Sequence, residues 1–182
     1  MAHTTAGSEL RRSGKRPHRW SRTAAGVASL VLLVGAALAC APPTGGPTFN
    51  EGRCAGAEGV TVVVDFVSMQ DRVVVRCALG PQASGFAALT AVGLAHDPGQ
   101  VPGGICQIDG LPTQGYPYCW TTGGYWSYWK ASSAGAPWTY SSAGATTSAL
   151  PPGAVEGWRF APFAAGSAEP PRVGTSGPIA PA

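Results

Sequence analysis

The sequence predicts an α+β domain, a mostly antiparallel sheet with one helix, between an export signal and a Pro-rich tail. Three observations predict it. Valine-rich runs with period-2 alternation recur along the middle of the chain, with one stretch of helical spacing between them. Four cysteines, Cys54, Cys77, Cys106 and Cys119, form an even set behind that signal. Large aromatic residues concentrate in one span: all five tyrosines lie between Tyr116 and Tyr140, and four of the six tryptophans between Trp120 and Trp138.

The N-terminus reads as a signal peptide over residues 1–39. Arg11, Arg12, Lys15, Arg16, Arg19 and Arg22 lead into an uncharged run ending in Ala37-Leu38-Ala39, with small residues where a signal peptidase cuts. Its apolar part is about 16 residues, short of the ~20 of a membrane-spanning helix, so cleavage is favoured over a retained anchor. Cys40 follows directly, and lipidation there accounts for the odd cysteine; the same Ala-Leu-Ala also suits ordinary cleavage without a lipid. Six of the 12 basic residues and one of the 9 acidic ones lie in this leader. The remainder is near −2, so there is no basic stripe for nucleic acid. A membrane enters only through the lipid anchor.

Residues 40–53, rich in Pro, Gly and Thr, read as a flexible tether to a domain over 54–163. Val60 to Val67 and Val73 to Leu79 are β-branched runs joined by Ser68-Met69-Gln70-Asp71, a hairpin. Asp65 interrupts the first run and is expected at its outer edge, paired with Arg72 or Arg76. Ser84 is placed to cap a helix over Gly85 to Ala95, with Phe86, Leu89, Val92 and Gly93 on one stripe. Gly93 either permits close packing or marks fraying. His96 follows as a solvated terminal group. Gly104 to Gly110 alternates like a third strand, and Tyr125 to Ala131 with Pro137 to Ser142 form a second hairpin. Val155 to Phe160 is a last short strand, and residues 164–182 are expected to be a disordered Pro-rich tail.

Of the three pairings open to four cysteines, Cys54–Cys77 with Cys106–Cys119 is the most local, each worth on the order of 3 kcal/mol. A metal site is disfavoured: there is no Cys-x-x-Cys, and His96 is the one histidine beyond the leader. Catalytic patterns are sparse. No Gly-x-Ser-x-Gly elbow and no phosphate-binding glycine loop occur, and among the scattered acids Asp65 and Asp109 are the pair that strands bring to one face. The expected protein is a non-enzyme without a cofactor.

The aromatic hairpin is the site candidate. Tyr125, Ser127 and Trp129 share one strand face, Trp126, Tyr128 and Lys130 the other, and Trp138 and Tyr140 extend one of the rows. One row is expected to be core and the other to offer rings to a small ligand or to an envelope protein. The alternative is a ladder packed on the Pro-rich loops and Trp158, with no ligand.

The segments GVTVVVDF, VVVRC, SGFAALTAVG, ICQIDGLP, YWSYWKA…WTYSSAGA and VEGWRF, over about residues 54–162, resemble the transcobalamin-like C-terminal domain of the soluble-ligand-binding β-grasp group, in the form found in exported actinobacterial proteins. The resemblance implies a β-grasp fold and a corrinoid-type or other small ligand. It assigns the contacts to Trp126, Tyr128, Trp129, Trp138 and Tyr140.

Overall fold

The computed structural model describes residues 48–101 and 103–179. The signal peptide, Cys40 and the first residues of the tether lie outside the described residues. Eight strands and one helix follow in order: β1 (Phe49–Glu51), β2 (Gly59–Asp65), β3 (Val73–Leu79), α1 (Gly85–Ala91), β4 (His96–Asp97), β5 (Gln107–Ile108), β6 (Gly124–Ala131), β7 (Thr139–Tyr140) and β8 (Val155–Pro162). Six of the strands make a mixed sheet in the order β1-β3-β2-β8-β6-β7, while β4 and β5 form a separate pair. The mainly-sheet, single-helix α+β class is as the sequence predicts.

The valine run of β2 explains its place. Every residue of β2 is buried, and it lies between β3 (antiparallel) and β8 (parallel), with Val63 opposite both Val75 and Gly157. A strand buried on both faces has no use for alternation, which is why Val60 to Val64 reads as continuous rather than period-2. On one face Val60, Val62 and Val64 meet Leu89 and Val92 of the helix segment, together with Trp126, Tyr128, Trp158 and Phe160. On the other face Val63, Val75, Ala131 and Val155 pack with Val173, and Trp138 covers them.

The helix begins where its cap requires, the Ala87 N–H donating to Ser84 Oγ at 3.1 Å. It stops at Ala91, short of the expected Ala95. Gly93 takes φ +71°, and its N–H and that of Leu94 return to Thr90 O and Leu89 O, a glycine-dependent helix stop. Both predicted disulfides form, Cys54–Cys77 and Cys106–Cys119.

Several expectations need correction. The third strand shrinks to Gln107–Ile108 and stays out of the main sheet, because Asp109 and Gly110 both adopt positive φ and turn the chain back on Leu111. Residues 49–51, assigned to the tether, pair with β3 as its outer neighbour, so the ordered domain starts before Cys54. The tail, expected to be disordered, is packed over the sheet at residues 171–175. Val173 is buried, Arg172 binds Asp65, and Trp138 Nε1 donates to Val173 O at 3.2 Å. Composition misled here because one valine sufficed: the apolar surface comes from Trp138 and the sheet, not from the tail. The ring of Trp138 and Pro171 lie so close over Gly157 that an added Cβ would stand 2.8 Å from each.

Candidate functional site

Strands β6 and β8 pair along their whole length, with Trp126 opposite Phe160 and Tyr128 opposite Trp158. On the helix side these pairs make a ladder of rings. Tyr128 stacks on Trp158 with centroids 4.5 Å apart, Phe86 of α1 lies 6.2 Å from Trp158, and Trp126 stands edge-on to both Phe66 and Phe160. Above the ladder opens a cleft of about 200 Å³. Its walls are Phe86, Trp126, Tyr128, Trp158 and Tyr140, and its rim is the chain at Gly103–Ile105 and at Ser141–Ala145.

At the end of the ladder, on the same face of β8, lies Glu156, a fully buried carboxyl with no ion-pair partner among the described residues. Tyr128 donates its hydroxyl to Oε2 and Trp158 donates its indole N–H to Oε1, both at 3.3 Å. Burial pushes the Glu156 carboxyl up to about 8, although both donors favour its charged form. The Tyr128 hydroxyl is raised in turn, by burial first and then by the charge of Glu156. The close approach of helix and acid needs Gly85: a Cβ there would come 2.8 Å from the Tyr128 hydroxyl and 2.9 Å from Glu156 Oε2. The nearest basic side chain on the neighbouring strand is Lys130, paired in register with Glu156. Its ammonium bonds Ser148 Oγ and lies 5.9 Å from the Tyr128 ring.

The five predicted ligand residues are not brought to one place. Trp126 and Tyr128, each 6 % exposed, line the cleft, as does Tyr140. Trp129 and Trp138 belong to the opposite face. Trp129 meets Tyr140 edge-on at 5.2 Å and donates to Ser127 Oγ, while Trp138 is part of the packing over Gly157. The alternating rows were read correctly, but both are largely covered, one by α1 and loops and one by the C-terminal segment. The sequence reading missed Phe86, Trp158 and Glu156 as site residues. Glu156 and Trp158, two apart on one strand face, are an acid beside an indole inside an otherwise apolar strand, and that was the available signal.

The other chemical candidates are tied up. Asp65 is not at an outer edge and pairs with neither Arg72 nor Arg76. It is fully buried and accepts from the Arg172 backbone and guanidinium and from the Val67 N–H. Asp109 pairs with Arg72 at 2.7 Å, so the two carboxylates serve different arginines rather than one site. His96 is not a free terminal group: it lies in β4 with its ring 4.9 Å from Phe86. Among the described residues the one grouping of three metal-type ligands, Cys54, Glu58 and Cys77, holds two sulfurs already joined to each other.

No protein-family model, curated protein or solved structure matches the chain. Among the described residues no helix is long and apolar enough to cross a membrane. The two disulfides are compatible with an extracellular location.

Proposed function

We propose that the protein is an exported, non-enzymatic ligand-binding module of β-grasp type, and that the cleft over the Trp126–Tyr128–Trp158 ladder takes a small planar ligand. The observation that carries this reading is the pairing of an aromatic-walled cleft with a buried carboxyl that accepts from two of its wall residues, Tyr128 and Trp158. Burial and specific partners that shift an acid are the arrangement functional sites use, and a concave apolar pocket with a few convergent polar groups is where a small ligand is first sought. The β-grasp assignment is supported by the order of hairpin β2–β3, helix α1 and hairpin β6–β7, with β8 returning parallel beside β2 under the helix.

At about 200 Å³ the cleft is smaller than the ~300 Å³ and above of sites that enclose a drug-sized molecule. A corrinoid therefore engages it by an edge or an appended ring, the macrocycle lying outside over the rim. Tryptophan fluorescence tests this with cobalamin and with benzimidazole as probes. A saturable change with Kd below about 1 mM is expected. Its loss is expected in Ala143→Trp, which places bulk at the exposed rim without touching the core. No saturable change with either probe, or a change indifferent to Ala143→Trp, would sink the reading.

A second reading, docking on an envelope protein, is favoured by Trp120, which is 60 % exposed and pairs with Tyr118 at 5.4 Å. In that case a photo-crosslinker at Trp120 captures a membrane or wall protein in intact cells, and a blank result removes it. Attachment through a lipid on Cys40 belongs to the same proposal; a mature N-terminus lacking acyl mass would exclude it.

A further inference from the structure

Next to the cleft, whose wall Tyr140 also forms, rings from three elements stand at the surface. Tyr125 of β6, Tyr140 of β7 and Phe163, in the turn after β8, are 39 %, 48 % and 52 % exposed. Phe163 and Tyr125 are stacked, with centroids 6.1 Å apart and planes 23° from parallel. Tyr140 stands edge-on to Trp129, four residues along the strand from Tyr125, a separation of about 13 Å at strand rise. Burial raises the Tyr125 hydroxyl, and the neighbouring Tyr140 hydroxyl adds to the rise.

The middle of the row is polar. Ser127 of β6 lies in register with Arg159 of β8, and the Arg159 guanidinium donates to Pro170 O at 2.6 Å and to Glu169 at 2.8 Å. This ion pair borders a groove of about 220 Å³ that reaches Ala161, Pro162 and Ser167 beside Phe163. The arrangement is a strip of ring faces with phenolic hydroxyls at their edges and a guanidinium–carboxylate pair alongside.

Charge limits what such a strip can hold. Each arginine of the described residues is already engaged: Arg72 by Asp109, Arg76 by Glu51, Arg159 by Glu169, Arg172 by Asp65 and Asp71, and Arg53 by the carbonyls of Gly174 and Gly177. No guanidinium is left over for a phosphate or sulfate polymer. Protein partners are anchored by side chains sunk into desolvated pockets, whereas the three rings of this strip are 39–52 % exposed. A pyranose chain fits it: each sugar has an apolar C–H face to lie on a ring and a hydroxyl rim to meet phenol, guanidinium and carboxylate.

We propose that the strip Tyr140–Tyr125–Phe163, with Arg159 and Glu169 beside it, is a platform for an uncharged pyranose polymer, a site that shares only Tyr140 with the cleft. The test uses the full chain, retained on insoluble cellulose or chitin and titrated with soluble cello- and chito-oligosaccharides. Binding to one of the two series is expected. Phe163→Ala and Tyr125→Ala each weaken it by roughly tenfold, the scale of one aromatic contact. Phe163→Trp keeps it. If Tyr125→Ala alters the circular dichroism spectrum, Phe163→Ala alone decides, because its ring lies in a half-exposed turn. Failure to bind either series, or binding that survives loss of Phe163, overturns the proposal.

Discussion

On the helix side of β6, Trp126 and Tyr128 are walled in by Phe86, Trp158 and the loops around residues 104 and 143, and they cover a buried acid. On the other side Ser127 and Trp129 are buried, while Tyr125 and Tyr140 stay at the surface. That second face is sealed elsewhere by a C-terminal segment held through one buried carboxylate, Asp65. The same residue types, alternating along one strand, thus make a concave site on one face and a flat strip on the other. What differs is the covering element. A helix with its N-terminus pressed onto the sheet leaves a cleft walled by rings, whereas the extended segment leaves a groove bordered by the Arg159–Glu169 ion pair.

Breaking the cover of the second face has the largest expected effect. Arg172→Ala leaves Asp65 buried with only two backbone N–H donors, the Val67 and residue 172 amides. A loss of about 2–4 kcal/mol is expected in chemical denaturation, somewhat below the range for a fully stripped buried pair. If stability instead stays within error, the segment is not fastened by this pair.

The helix face has its own signature, in pH. Glu156 ordinarily titrates near 4.5 and in the folded protein at about 8. Between those values the native state keeps a proton that the unfolded chain has released, so this group's contribution is complete below about 4.5, is lost as pH rises through about 8, and is flat above. Tyr128 faces the same acid, and its raised hydroxyl stays neutral throughout that window. Denaturation midpoints should therefore fall across it, by on the order of a few kcal/mol, and Glu156→Gln should flatten the fall. An unchanged slope in Glu156→Gln would show that the carboxyl is ionised throughout.

Smaller still is Gly157→Ala. Its Cβ would press on Trp138 and Pro171, costing about 1–3 kcal/mol on the second face while leaving the cleft intact. A neutral result would mean that Trp138 can lift without loss.

Reading the chain alone recovered whatever depends on local pattern. The two hairpins, the Ser84 cap, the local disulfides and the two-faced hairpin strand all follow from periodicity, capping chemistry and cysteine spacing. It failed where a partner distant in sequence decides. Asp65 looked like an edge residue because its counter-ion, Arg172, is 107 residues away in a segment whose composition resembles a linker. The cleft was half visible: Trp126 and Tyr128 were named from their strand, but Phe86 and Glu156 join them only because β8 inserts between β2 and β6 and brings the helix N-terminus over it. No local pattern encodes that insertion.

The contrast between the faces can be read from the indole N–H signals of the isotope-labelled protein during a titration with benzimidazole or cobalamin. Each indole has its own acceptor: Leu111 O for Trp126, Glu156 for Trp158, Ser127 for Trp129 and Val173 O for Trp138. A ligand in the cleft shifts the Trp126 and Trp158 signals with one saturating curve and leaves those of Trp129 and Trp138 in place. Saturating shifts confined to Trp129 and Trp138, or none at any of the four, would contradict a ligand site on the helix face.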